Sequence, residues 1–163
     1  INSLSDFAEE RGVDIKFNDT SRTAVSVVRV EITRAIRNLL HNSIKYSWKK
    51  DVGRPWVTVA VSVSELAMAE VSVQNRGVPV PAEEIEQGLV FRLGFRGRLS
   101  SDRGRMGTGV GLADSLRIAR DHGGSLRMES RPVSQNANVH HYDQPFVTTT
   151  FLALPLVRRS EGR

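Results

Sequence analysis

The chain predicts a two-layer α/β sandwich, with a mixed, mostly antiparallel sheet, helices packed on one face and a long loop between two of the elements. Three observations predict it. Short segments alternate apolar and polar residues as half-buried strands do, and two longer segments repeat apolar residues at helical spacing. Strands and helices also follow one another without the strict alternation that a doubly wound parallel sheet requires. With 163 residues, 39% of them hydrophobic and 25% charged, the chain is read as one domain over 1–163, large enough to bury a core.

In order, "LSDFAEERG" reads as a short helix with Leu4, Phe7 and Ala8 on one side and Gly12 as its stop. "VDIKF" alternates as a strand, with a turn expected at Asn18-Asp19 and "TAVSVVRV" as its partner. A long helix is expected from Glu31 to Trp48, because Ile32, Ala35, Ile36, Leu39, Leu40 and Ile44 recur every three or four residues. "RPWVTVAVSV" is a strand with Val57, Val59, Val61 and Val63 pointing one way, and "AMAEVSVQ" is its antiparallel partner. From Asn75 to Gly109 glycine recurs and only "PAEEIEQGLVF" looks helical, which marks a functional loop. The next helix runs from Val110 to His122 and ends at Gly123-Gly124; "SLRMES" and "PFVTTTFLALPL" close the chain as strands.

Composition narrows the function. There are no cysteines, so disulfides and thiolate metal sites are out, and a reducing compartment fits. No apolar run approaches the roughly 18 residues of a membrane span. The opening residues lack the basic and apolar pattern of a signal peptide, and the absent initiator Met is read as the mark of a fragment. The net charge of +5 is assigned to a solvated surface with arginines near a small anion, because the arginines are scattered and few aromatics accompany them. No nucleic acid and no direct membrane contact are therefore expected.

"RGRMGTGVGLADSL" places four glycines within eight residues at the start of a helix. A Walker loop needs a lysine and a hydroxyl residue after its last glycine, and a dinucleotide fingerprint needs a preceding strand; both are missing. Gly107, Gly109 and Gly111 would let the backbone approach an anion, with the helix amides and dipole aimed at it. The residues alone leave a flexible helix start equally open. A second feature lies on the long helix, where Glu31, Asn38, Asn42 and Lys45 share one stripe beside the apolar face. Two carboxamides and an ammonium there suit a magnesium-phosphate group, since amide oxygens ligate hard cations and lysine neutralises phosphate. For a single Asn, a solvated helix edge would explain as much.

Together these features resemble a known family. "AIRNLLHNSIKYSW" resembles the N-box of the sensor histidine kinase ATP-binding domain, in the gyrase, chaperone and histidine kinase ATPase superfamily with its Bergerat fold. "GRMGTGVGLADSLRIARDHGGSLRMES" is similar to its second glycine box with the helix and strand beyond. "VSVQNRGVPVPAEEIEQGLVFRLGFRG" lies where the family has its first glycine box and phenylalanine box, and "FVTTTFLALPL" looks like its last strand. The resemblance covers nearly the whole chain.

The resemblance implies ATP and Mg2+ as ligands, under a lid of roughly residues 75–109. It makes Asn42 the magnesium ligand, with Asn38 supporting it, Lys45 reaching phosphate, and Tyr46 holding the lid or the sugar–phosphate region. Gly107, Thr108, Gly109, Val110, Gly111 and Leu112 would frame the triphosphate; Asn75 and Gly77 stand for the first glycine box; Phe91 and Phe95 would anchor the lid. Arg92, Arg96, Arg98, Arg103 and Arg105 are candidates for the γ-phosphate, and no spacing selects one. The implied reaction is transfer of the γ-phosphoryl group to a histidine on a separate dimerisation domain expected upstream of this chain, and from there to a response regulator receiver domain. None of His41, His122, His140 and His141 sits in an acceptor sequence, and the helical wheel turns His41 away from Asn42. His140 and His141 are read as a surface pair. Hydrolases of the superfamily carry a glutamate where this chain has Asn38, which cannot serve as a base. The implied location is cytoplasmic, whether or not the parent protein is tethered to a membrane. Asn75 stands where the family has aspartate and Pro79 where it has glycine, which opens a second reading: a degenerate module with weak or no ATP binding that serves for docking or regulation. A stand-alone anti-sigma serine kinase of the same superfamily is the third.

Overall fold

The computed structural model describes residues 3–19, 23–48, 54–101, 107–134 and 141–157. Its elements are α1 (Leu4–Arg11), β1 (Asp14–Asp19), α2 (Arg29–Lys45), β2 (Trp56–Val63), β3 (Met68–Gly77), α3 (Ala82–Glu86), a 3-10 turn (Leu89–Phe91), α4 (Arg98–Ser101), α5 (Gly111–Asp121), β4 (Ser125–Pro132) and β5 (Phe146–Pro155). The five strands form one sheet in the order β1-β2-β3-β5-β4. Only β1 and β2 run parallel; the other pairs are antiparallel.

Local chemistry accounts for the element ends. Ser3 and Asp6 form a reciprocal capping box at the start of α1, and Gly12 ends it in the left-handed region at φ 64°. On α2 the residues Ile32, Ala35, Leu39 and Ile44 are buried, while Ile36 and Leu40 are half-buried at the margin of the same face. They meet Val57 of β2, Val73 of β3, Leu126 of β4, Leu152 and Leu154 of β5, and Ile118 and Ala119 of α5 in one core. The opposite sheet face is polar: Gln74 donates to Thr149, and Arg127 pairs with Glu70 and Glu129 while stacking on Phe151. This is the helix-on-one-face sandwich read from the sequence.

One pairing differs from expectation. The segment 23–30 does not return along β1, and Asn18 and Asp19 belong to the strand rather than to a turn. β1 pairs in parallel with β2, with α2 as the crossover, and Val25 bridges to Leu156 instead. Alternation marks a strand but carries no information about its partner, and a parallel neighbour is always distant in sequence. The long helix also ends at Lys45 rather than Trp48, because Ser47 joins β3 by a bridge to Gly77.

Candidate functional site

β3 and the end of α2 are fastened to each other. The Val78 N–H donates to the Tyr46 carbonyl at 2.8 Å and the Trp48 N–H to the Arg76 carbonyl at 2.9 Å. Gly77 lies inside this seam, and a Cβ there would meet the Asn75 side-chain amide and come within 2.8 Å of the Tyr46 carbonyl. Gly77 therefore permits close packing behind the site; it is not among the residues that line the cavity.

That cavity, of about 510 Å³, lies between the helix layer and the sheet. From α2 and its C-cap come Asn38, Asn42, Lys45 and Tyr46; from the loop before α5 come Gly107, Thr108, Gly109 and Val110, and from the start of α5 Gly111 and Leu112. The sheet contributes Asn75 of β3 together with Met128, Thr148 and Thr150. The register explains this floor: Asn75 pairs with Thr148 and Thr148 with Ser130, while Val73 pairs with Thr150 and Thr150 with Met128. Period-2 alternation then points each row to the helix side.

The two sequence features meet directly. Asn38 Nδ2 donates to the Gly111 carbonyl at 3.3 Å. A Cβ on Gly111 would stand 3.5 Å from Asn42 Nδ2, and one on Gly107 would run into the Lys45 ammonium and lie 3.7 Å from the Tyr46 hydroxyl. Gly109 has φ 69°, and a Cβ there would meet the Gly94 carbonyl carbon at 2.6 Å; the Gly94 N–H donates to the Gly109 carbonyl at 3.0 Å. The glycine loop and the segment 78–101 thus touch backbone to backbone. Only glycine fits the contact.

The cavity lining carries the cations Arg34, Lys45 and Arg96 and the carboxylates Glu84 and Asp114. Lys45 is 7% exposed, its ammonium lies 4.8 Å from the Tyr46 ring centre, and no carboxylate pairs with it among the described residues. Val110 gives the first turn of α5 no side-chain cap, which leaves its amides and positive dipole end facing the cavity. The Lys45 ammonium lines the cavity, where it could neutralise an anionic group.

Other members of the stripe go elsewhere. Glu31 is not among the residues that line the cavity and lies beside His122, with Nε2 and Oε2 3.7 Å apart. His122 accepts the Val28 N–H at 3.0 Å through Nε2 and donates to the Ile118 carbonyl at 2.8 Å through Nδ1, so it fastens the start of α2 to the end of α5. The His41 ring goes to α1, as the helical wheel suggests. It lies at the cavity wall and stacks on Phe7 of α1, with ring centres 4.6 Å apart and planes at 9°. Contact with Phe7 removes part of its hydration, which lowers its pKa below the usual 6.5, and Lys45 and Arg11 lower it further.

β3 runs on to Gly77, so residues 75–77 of the expected lid belong to the sheet. Phe95 and Arg96 line the cavity and Phe91 packs against the core. Arg98 pairs with Glu83 at 3.4 Å, and Arg92 is not part of the lining. Arg103, Arg105 and His140 lie outside the described residues. Sequence reasoning passed over Arg34, Asp114, Thr148 and Thr150, all of which line the cavity. The signal for Arg34 was its place on the stripe, four residues before Asn38. The threonines carry no periodicity that separates them from a strand core.

A family model described as histidine kinase-, DNA gyrase B-, and HSP90-like ATPase matches residues 27–157. The chain is 31% identical over 121 residues to the sensor protein CzcS of Cupriavidus metallidurans, an alignment covering 74% of this chain and 24% of that protein. It spans about a quarter of the length of that curated relative. Among solved structures, a mycobacterial sensor histidine kinase, MprB, superposes with a TM-score of 0.69 at 23% identity, covering 94% of this chain and 92% of the other. Full-length ShkA in complex with AMPPNP superposes with a TM-score of 0.66 at 17% identity, covering 94% and 29%. Both likenesses show the fold.

Proposed function

Because the chain belongs to the histidine kinase-, DNA gyrase B-, and HSP90-like ATPase family, we propose that it binds Mg-ATP in this cavity and donates the γ-phosphoryl group to a histidine on a separate dimerisation domain, as the catalytic part of a two-component sensor kinase. The observation that carries the reading is Lys45, a buried residue without a carboxylate partner among the described residues, whose ammonium lines the cavity against Gly107 of the glycine loop that leads into the uncapped start of α5. A polyanion suits such a pair of groups.

In this reading the base lies toward Asn75 and the sheet floor, and the phosphates run past Lys45 and Tyr46 to the glycine loop. Asn42 would ligate Mg2+, which spreads the phosphate charge and aligns the transferring group. Asn38 already donates to Gly111, so it holds the two helices in register and activates no water; that favours transfer over hydrolysis. Positioning and charge neutralisation account for most of phosphoryl transfer, and these few groups supply both. The complex of full-length ShkA with AMPPNP supports a nucleotide in this fold. The acceptor-histidine domain of the same parent protein and, through it, a response regulator are the partners; nucleic acid and direct membrane contact are not part of the proposal. No helix among the described residues is long and apolar enough to cross a membrane, and we place the domain on the cytoplasmic side of its parent.

Titration calorimetry with ATP, in magnesium and then in chelator, tests the binding. Mixing the chain with its acceptor domain and labelled ATP tests the transfer. Magnesium-dependent binding and acid-labile label on the acceptor are expected; failure of Mg-ATP to bind would overturn the reading.

A further inference from the structure

Arg34 extends the stripe one turn before Asn38 and lines the same cavity. Its guanidinium grips Asp114 of α5, with Nε to Oδ2 at 2.9 Å and Nη2 to Oδ1 at 3.5 Å. Asp114 also lines the cavity, three residues beyond Gly111, where a carboxylate would repel a phosphate chain. It has a second arginine: Arg117 Nη2 reaches Oδ1 at 2.9 Å while its Nη1 reaches Asp121 at 2.6 Å. Arg117 does not line the cavity. Asp114 would therefore stay neutralised if Arg34 let go. The Arg34 side chain is 52% exposed, and exchanging one charged partner for another costs it little.

Position along α2 fixes which phosphate it would meet. Asn75 and Tyr46 mark one end of the cavity, next to the seam with β3. Arg34 is eleven residues before Lys45 on the helix, about 16 Å away at 1.5 Å per residue. A nucleotide with its base at Asn75 and its first phosphates at Lys45 and Asn42 would come to Arg34 last. Resting on the Mg-ATP reading above, we propose that Arg34 contacts the terminal phosphate, and that Asp114, shared with Arg117, holds it in place until the nucleotide arrives. Arginine suits this task because its planar fork binds two phosphate oxygens at once.

The test compares Mg-ATP with Mg-ADP by calorimetry on the parent chain, Arg34→Ala, Arg34→Lys, Asp114→Asn and the double variant Arg34→Ala/Asp114→Asn. Loss of a charge-assisted contact to the third phosphate should lower the ratio of ATP to ADP affinity about tenfold in Arg34→Ala, with ADP affinity little changed. Arg34→Lys should recover part of the ratio, and Asp114→Asn should preserve it. The double variant should stay low. If its ratio returned to the parent value, Arg34 would only have been neutralising Asp114, and the inference would fall. Equal losses for both nucleotides would mark a structural brace and overturn it too. A parent chain that bound neither nucleotide would instead sink the Mg-ATP reading itself.

Discussion

Asn38 donates its side-chain amide to the carbonyl oxygen of Gly111 across 3.3 Å, joining the middle of α2 to the first residue of α5. The contact is one rung of a ladder. Ser115 donates to Gly111 at 2.8 Å and lies 3.4 Å from the Ala35 carbonyl; Arg34 grips Asp114, and His122 accepts from Val28. Positions fall on α2 as they rise on α5, so the helices run antiparallel. The uncapped start of α5 is thereby held beside Asn38 and Asn42 of α2.

Asn42→Ala and Asn38→Ala should separate the two roles. The Asn42 side chain makes no hydrogen bond among the described residues that would fix the fold, so its loss should abolish or strongly weaken Mg-ATP binding and leave the thermal midpoint near that of the parent. Asn38→Ala removes a rung and should lower stability by about 1 kcal/mol, measurable by urea denaturation. An Asn42→Ala protein that bound Mg-ATP as tightly as the parent would show that the site is misplaced.

His41 should make stability depend on pH in a narrow window. The unfolded ring takes its proton near pH 6.5, whereas the folded ring, partly shielded by Phe7 and facing the cations Lys45 and Arg11, needs a lower pH. Between those values the unfolded chain binds more protons, so stability rises with pH. Its contribution is complete above about pH 6.5 and is lost as pH falls through the folded value. The effect is small because the ring keeps one side in water. His41→Gln should remove this part of the decline; urea midpoints at pH 7.5 and 5.5 that fell equally in parent and variant would exclude His41 as its source.

The isolated chain should not phosphorylate itself. His122 spends both ring nitrogens on Val28 and Ile118, His41 is stacked on Phe7, and His141 lies edge-on to Tyr142 and Phe146. Incubation with labelled Mg-ATP should leave no acid-labile label on the chain, read after denaturing electrophoresis at neutral and acid pH. Stoichiometric phosphohistidine at His41 or His122 would contradict the need for a separate acceptor.

Helical periodicity made the α2 stripe legible, because a step of three or four residues fixes a face whatever the tertiary context. Asn38, Asn42 and Lys45 could therefore be grouped before any partner was known, and the glycine spacing located the opposing loop. The fate of Glu31 was not legible: whether a stripe residue faces the cavity or His122 depends on where α5 crosses. Strand pairing was hidden for the same reason, since nothing in "VDIKF" distinguishes β2 from the segment 23–30 as its neighbour. Thr148 and Thr150 stayed hidden because β5 is central, and a polar cavity floor there looks like any buried row.

The first glycine box gives the sharpest test. Asn75 is 4% exposed on β3, paired in register with Val57 and Thr148, and its side-chain amide nitrogen lies against Gly77. A base amino group arriving there meets one amide oxygen, whose other end is a donor with no charge. An aspartate would accept through a charged oxygen, and the gain is about 1–2 kcal/mol, roughly tenfold in affinity. Pro79, also buried, fixes its own φ and holds Val78 extended, while the Val78 N–H is tied to the Tyr46 carbonyl at 2.8 Å. The entry to the lid is therefore rigid. We expect weak ATP binding in the parent chain, tighter binding in Asn75→Asp, and a further gain when Pro79→Gly is added. Asn75→Asp also buries a carboxylate with no bound base to satisfy it, so the ligand-free variant should melt below the parent and recover on adding Mg-ATP. Calorimetry and thermal melts with and without nucleotide read both effects. Unchanged or weaker affinity in Asn75→Asp, with no recovery of its melting point, would show that the base is not read at this position.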